Sequence, residues 1–108
     1  MQNYQKYLFL RFELNQICLK YDLDHSEELM IDYVALLLDQ NQTPTIKTVL
    51  SAKELGSQAT IHARLHSLVE RKFLHLDVSS DDARIKYLSL GKLGMARAKD
   101  ISRLIADL

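Results

Sequence analysis

At 108 residues, with 47% hydrophobic and 26% charged side chains, the chain has room for one domain and a modest core but is small for a free-standing enzyme with a deep pocket. Fourteen Lys/Arg against fourteen Asp/Glu give a formal net charge of zero, which speaks against a protein that coats DNA over its whole surface. A single cysteine excludes an internal disulfide framework. No apolar run reaches membrane-spanning length and Met1-Gln2-Asn3-Tyr4-Gln5-Lys6 is no signal-peptide start, so a cytoplasmic location is expected.

In chain order, the first predicted element is a helix from Tyr4 to Lys20, within residues 1–22. Its apolar residues, among them Tyr7, Leu8, Phe12, Leu14 and Ile17, cover more than one face, so it needs cover on several sides. In so small a domain the expected cover is a second copy of the chain, the alternative being a central core helix within a monomer. Asp24-His25-Ser26-Glu27 has the spacing of a capping box, which predicts a second helix from near Ser26 to about Gln40. Asn41-Gln42-Thr43-Pro44 is a loop, Thr45 opens a short helix carrying Ile46, Val49 and Leu50, and Gly56 marks a turn.

Ser57 to Leu74 reads as one helix. Ile61, Leu65, Leu68 and Val69 form its apolar stripe, Ala59, His62, Ala63 and His66 lie opposite, and Ser57 can cap its start. Leu74-His75-Leu76-Asp77-Val78 alternates as a half-buried strand, Ser79–Ala83 is a polar turn, and Arg84–Leu90 is the returning strand. A last helix, from about Lys92 to Leu108, gathers Leu93, Ala96, Ile101, Leu104, Ile105 and Leu108 on one face. Arg97, Lys99, Asp100, Arg103 and Asp107 fall largely elsewhere. Helix, hairpin and a new helix after Gly91 describe a winged helix. The expected fold is therefore mainly α with a small β-hairpin wing (α+β), a single domain over 1–108 whose winged-helix core spans 26–94 and whose C-terminal helix spans 92–108.

Asp82-Ala83-Arg84, five residues, then Leu90-Gly91-Lys92-Leu93-Gly94 resembles the wing signature of MarR-type transcriptional regulators, in which Asp-x-Arg is followed five residues later by Leu-Thr-x-x-Gly. The Ser57–Leu74 helix is similar to that family's recognition helix. Three departures stand out: Gly91 replaces the usual Thr, Lys72 sits where a Gly usually ends the helix, and Ala52–Gly56 is about one residue shorter than usual. The resemblance implies a homodimer joined through its terminal helices, here by Tyr7, Leu8, Phe12, Ile101, Leu104, Ile105 and Leu108. It also implies that Arg84 enters a minor groove, with Asp82 steadying the wing.

The residues themselves suit double-stranded DNA. Ala59 and Ala63 would let a helix approach a groove floor, and Gln58, Thr60, His62 and His66 can bond bases or phosphates. Arg64 suits a flanking phosphate, Ser57 and the helix start form an anion site, and Lys86 shares the face of Arg84. Charge is distributed to match: residues 1–40 hold three Lys/Arg and seven Asp/Glu (net −4), and 41–108 hold eleven and seven (net +4). The bland alternatives are a solvated helix face and an exposed Asp82–Arg84 pair of little energetic weight.

His62 and His66 have the i, i+4 spacing of a metal pair but lack the remaining ligands, so no metal or cofactor is expected. Cys18 lacks a cationic neighbour other than Lys20 and reads as a packed thiol, with oxidant sensing the weaker alternative. Nothing suggests catalysis. A small-molecule effector is compatible with the resemblance, but no residue marks a pocket for one. The expected function is sequence-specific DNA binding by a transcriptional regulator; the alternative is a winged helix used for protein–protein contact without DNA.

Overall fold

The computed structural model describes residues 2–108. Its elements are α1 (Gln2–Lys20), α2 (His25–Asp39), α3 (Ile46–Leu50), α4 (Gln58–Glu70), β1 (Leu74–Val78), β2 (Lys86–Leu90) and α5 (Lys92–Ala106). A 3-10 turn over Lys53–Leu55 separates α3 from α4. It ends at Gly56, whose φ of +120° only glycine adopts without strain.

Local chemistry sets the helix starts. At α2 the Glu27 amide donates to the Asp24 carboxylate (2.7 Å) and the Asp24 amide donates to the Glu27 side chain (2.9 Å), completing the expected capping box. Thr45 and Thr48 do the same for α3, and the Ser57 hydroxyl accepts from the Thr60 amide to cap α4.

Helix α4 ends at Glu70, four residues earlier than its composition suggests. Lys72 turns the chain back with φ +70°, and the Phe73 amide donates to the Leu68 carbonyl (2.9 Å), a closing reversal of the Schellman type. Lys72 thus takes the left-handed position that glycine fills at lower cost, about 1–2 kcal/mol in general. Gly91 also has a reason. Its amide donates to the Phe73 carbonyl (3.0 Å), and a Cβ there would overlap the Lys72 carbonyl oxygen, so the threonine usual in MarR-type wing signatures cannot fit without movement.

The core lies under the hairpin and between the middle helices. Met30, Ile31 and Val34 of α2 meet Val49, Ile61, Leu65, Leu68, Phe73, Leu74 and Leu88, all buried. Each such side chain contributes roughly 1.5–3 kcal/mol by leaving water. β1 and β2 pair antiparallel from Leu74↔Leu90 to Val78↔Lys86. The α2–α3 loop adds an edge, because the Leu88 amide donates to the Pro44 carbonyl (2.8 Å) and Thr45 bridges Tyr87. The returning strand is shorter than expected. Arg84 and Ile85 belong to the tip, where the Ile85 amide donates to the Asp82 carbonyl (3.0 Å).

The terminal helices form a separate layer, α1 against α5, in a molecule 53 Å long and 25 × 22 Å across. No residue of α1 among those described is buried, and Tyr7 and Phe12 stay 50% and 65% exposed. This rules out the reading of α1 as a central core helix of one chain. Arg97 departs from the polar-face reading too: it is 4% exposed, donating to Asp32 (2.7 and 3.3 Å) and Glu28 (3.2 Å), and it joins α5 to α2. Among the described residues, no helix is long and apolar enough to cross a membrane.

Candidate nucleic-acid interface

Helix α4 turns Ile61, Leu65 and Leu68 into the core, which leaves Ala59, Thr60, His62, Ala63 and His66 exposed in one outward strip. Ser57 and Gln58 are exposed at its N-terminal end, and Arg64 is half-buried on the flank. The Ser57 hydroxyl also donates to Thr60 Oγ1 (2.9 Å), so both side chains are engaged in the cap. His66 Nε2 lies 3.5 Å from Glu70 on the same exposed face, a contact of little energy.

The hairpin projects beside this strip. The Arg84 side chain is 90% exposed yet held by Asp82: its Nε donates to Oδ1 (3.1 Å), its Nη2 to Oδ2 (3.0 Å) and its own amide to Oδ1 (3.0 Å). That fork keeps the Asp82 carboxyl below the usual carboxylate range. Of the five N–H donors of the guanidinium, two are spent on Asp82 and the rest face solvent.

Between α3, the start of α4 and the hairpin runs a groove of about 720 Å³, lined by Lys47, Ser51, Gln58, His62, Arg84 and Lys86 together with apolar neighbours. Among the described residues lining it, the charged ones are Lys47, Arg84 and Lys86, all cationic. A smaller cleft of about 250 Å³ between α4 and the hairpin has Leu65, Val69, Leu76 and Leu88 as its floor, with His62, His66 and Lys86 around it. Fold topology thus brings the expected residues Gln58, His62, Arg84 and Lys86 to one trough. It adds Lys47 and Ser51, which the sequence did not single out. Their only local sign is a Lys and a Ser on the exposed side of a short helix; what recruits them is the hairpin folding back across that helix.

The remaining features are structural in character. The Cys18 thiol donates to the Leu23 carbonyl (2.7 Å), and burial, with the Glu28 carboxylate adding to it, pushes the thiol pKa up, away from a reactive thiolate. Among the described residues no group of three His, Cys, Asp or Glu is arranged to hold a metal ion. Of the terminal-helix residues, Tyr7, Phe12, Ile105 and Leu108 are exposed and Leu8, Ile101 and Leu104 are half-buried. A groove of about 780 Å³ also opens between α1, α2 and α5, lined by Tyr7, Phe12, Glu28, Leu29, Asp32 and Arg97 among others, where the sequence marked no pocket.

The chain matches no family model and no curated protein. Solved structures do share its form. The S. aureus MepR–DNA complex superposes with a TM-score of 0.73 at 15% identity, covering 90% of this chain and 70% of MepR. S. aureus MepR bound to ethidium bromide gives 0.69 at 16%, covering 91% and 68%. The heme sensor protein PefR from Streptococcus agalactiae in complex with heme gives 0.61 at 20%, covering 91% and 67%. At these identities the likeness establishes the fold: the chain is a winged helix of the form seen in MepR and PefR.

Proposed function

We propose that the chain binds duplex DNA sequence-specifically as a homodimer and regulates transcription, in the manner of the MarR-type proteins its wing signature resembles. One observation carries the reading: the trough whose charged lining is wholly cationic, beside a helix face of alanines and hydrogen-bonding side chains. The fold it shares with the MepR–DNA complex supports it. Ala59 and Ala63 let α4 lie close to a major-groove floor, where Gln58, Thr60, His62 and His66 reach base edges. Ser57 with the helix start, Arg64, Lys47 and Lys86 meet phosphates. Arg84, steadied by Asp82, enters the adjoining minor groove, where narrow A·T tracts concentrate negative potential.

The apolar faces of α1 and α5, through Tyr7, Leu8, Phe12, Ile101, Leu104, Ile105 and Leu108, join two copies, and the operator is a pseudo-palindrome with half-sites about one helical turn apart. Such a protein works in the cytoplasm. The groove between α1, α2 and α5 gives an effector a place to lodge. A salt titration on random duplex tests the central claim: affinity should fall steeply as salt rises. A chain that ignores duplex at low salt would instead be a protein–protein module.

A further inference from the structure

One side chain ties the far end of α4 to the start of α2 and to the turn after α1, and through Tyr21 that turn reaches α5. Arg71, the residue that closes α4, donates from Nη1 to Glu27 Oε2 (2.9 Å) and from Nη2 to the main-chain carbonyls of Tyr21 (3.0 Å) and Asp22 (2.7 Å). Its guanidinium lies 5.1 Å from the Phe73 ring centroid, and Tyr21 meets that ring edge-on at 5.9 Å. The Tyr21 hydroxyl then donates to Asp100 Oδ2 (2.6 Å), which also accepts from Lys20 Nζ (2.8 Å). Four segments meet here: the end of α4, the end of α1 with the turn that follows it, the first turn of α2, and the middle of α5.

The bonds to main-chain carbonyls are the informative ones. They hold a turn whose Asp22 has φ +52°, a conformation that persists in a non-glycine residue where its surroundings fix it. A planar fork can reach three acceptors on two segments at once; a lysine ammonium has no such geometry. The position also matters. Arg71 grips the C-terminal end of α4, whereas the residues facing the trough sit at its other end. Thirteen residues make α4 a lever of about 20 Å. A tilt of about 10° at the clasp moves the far end by about 3 Å, close to the rise of one base pair.

We infer that Arg71 is a positioning residue that fixes the angle of α4 against the terminal helices and so sets the separation of the two recognition helices in a dimer. This rests on the reading of the chain as a DNA-binding dimer. The test uses Arg71→Gln and the milder Tyr21→Phe on three kinds of duplex: a single half-site, the full site selected by the wild type, and full sites one or two base pairs longer or shorter. Wild type should prefer the selected spacing by about tenfold or more, on the scale of one mismatched base pair. In Arg71→Gln that preference should shrink to within about threefold while half-site affinity stays within about twofold. Tyr21→Phe should shift in the same direction by less, and it stands in for the first variant should that one not fold. Equal losses on every duplex, the half-site included, would make Arg71 merely stabilising, and unchanged spacing preference in both variants would also overturn the inference. A wild type that binds no duplex is a different result: the DNA reading fails first and takes this inference with it.

Discussion

Lys47→Ala isolates the residue that only the fold revealed. Lys47 is exposed on a five-residue helix whose caps, Thr45 and Ser51, are untouched by the change, so the variant should melt with the wild type. In the proposed two-fold dimer each contact appears twice, and Lys47, Arg64 and Lys86 of both copies together neutralise about six phosphates. At about 0.9 per phosphate, log affinity against log salt has a slope near −5, so a fourfold rise in salt weakens binding by roughly three orders of magnitude. Removing Lys47 from both copies brings the slope to about −3.6 and the loss to roughly two orders. Fluorescence anisotropy with one labelled duplex, titrated from 50 to 200 mM salt (about the range over which such slopes are read), measures both. A variant with the wild-type slope would mean that Lys47 faces no phosphate and that α3 lies off the DNA.

Three further outcomes follow from the packing. Arg97→Met keeps the buried stem but removes the bonds to Asp32 and Glu28. Because the Asp32 side chain is 58% exposed and can rehydrate, the loss should be about 1–2 kcal/mol, below the 3–5 typical of a fully buried pair. That is a drop of roughly 4–8 °C per kcal/mol in melts at fixed protein concentration, and no drop would show that the pair does not hold α5 to α2. Gly91→Thr, which introduces the residue usual in MarR-type wing signatures, should destabilise by about 1–3 kcal/mol in urea unfolding, since its Cβ meets the Lys72 carbonyl; a neutral result would mean that the α4–β1 reversal yields freely. Lys20 and Tyr21 hold the Asp100 carboxyl below its usual range, so its contribution is complete above the ordinary carboxylate pKa of about 3.9 and is lost as pH falls through the lowered folded value. The stability gap between wild type and Asp100→Asn should thus be present at neutral pH and close in acid; a gap that is constant with pH would refute the assignment.

The sequence announced what depends on neighbours along the chain. Capping at Asp24, Thr45 and Ser57, the stripe of Ile61, Leu65 and Leu68, and a strand over Leu74–Val78 are each decided within a few residues, and each stands where expected, although the alternation fails at Val78, which is exposed near the hairpin tip. What escaped depends on distant partners. Arg97 reads as a surface cation on its own helix, because the carboxylates that allow its burial lie on α2, 65 and 69 residues away. Arg71 binds carbonyl oxygens, which carry no residue type to read. The end of α4 was hidden since lysine, not glycine, makes the reversal at position 72. In the candidate interface, the helix face and the wing were legible from periodicity and spacing, whereas Lys47 joined them only through the fold.

The fork between Asp82 and Arg84 has a consequence that charge alone would get backwards. Removing a carboxylate from a surface that meets a polyanion ordinarily strengthens binding, because a repulsion disappears. Here that carboxylate holds the guanidinium in one place before any contact is made, so the rotamer freedom of a long side chain is surrendered during folding rather than on association. Asp82→Ala therefore frees the arginine to wander and should shorten the lifetime of the complex, even as it makes the tip more positive.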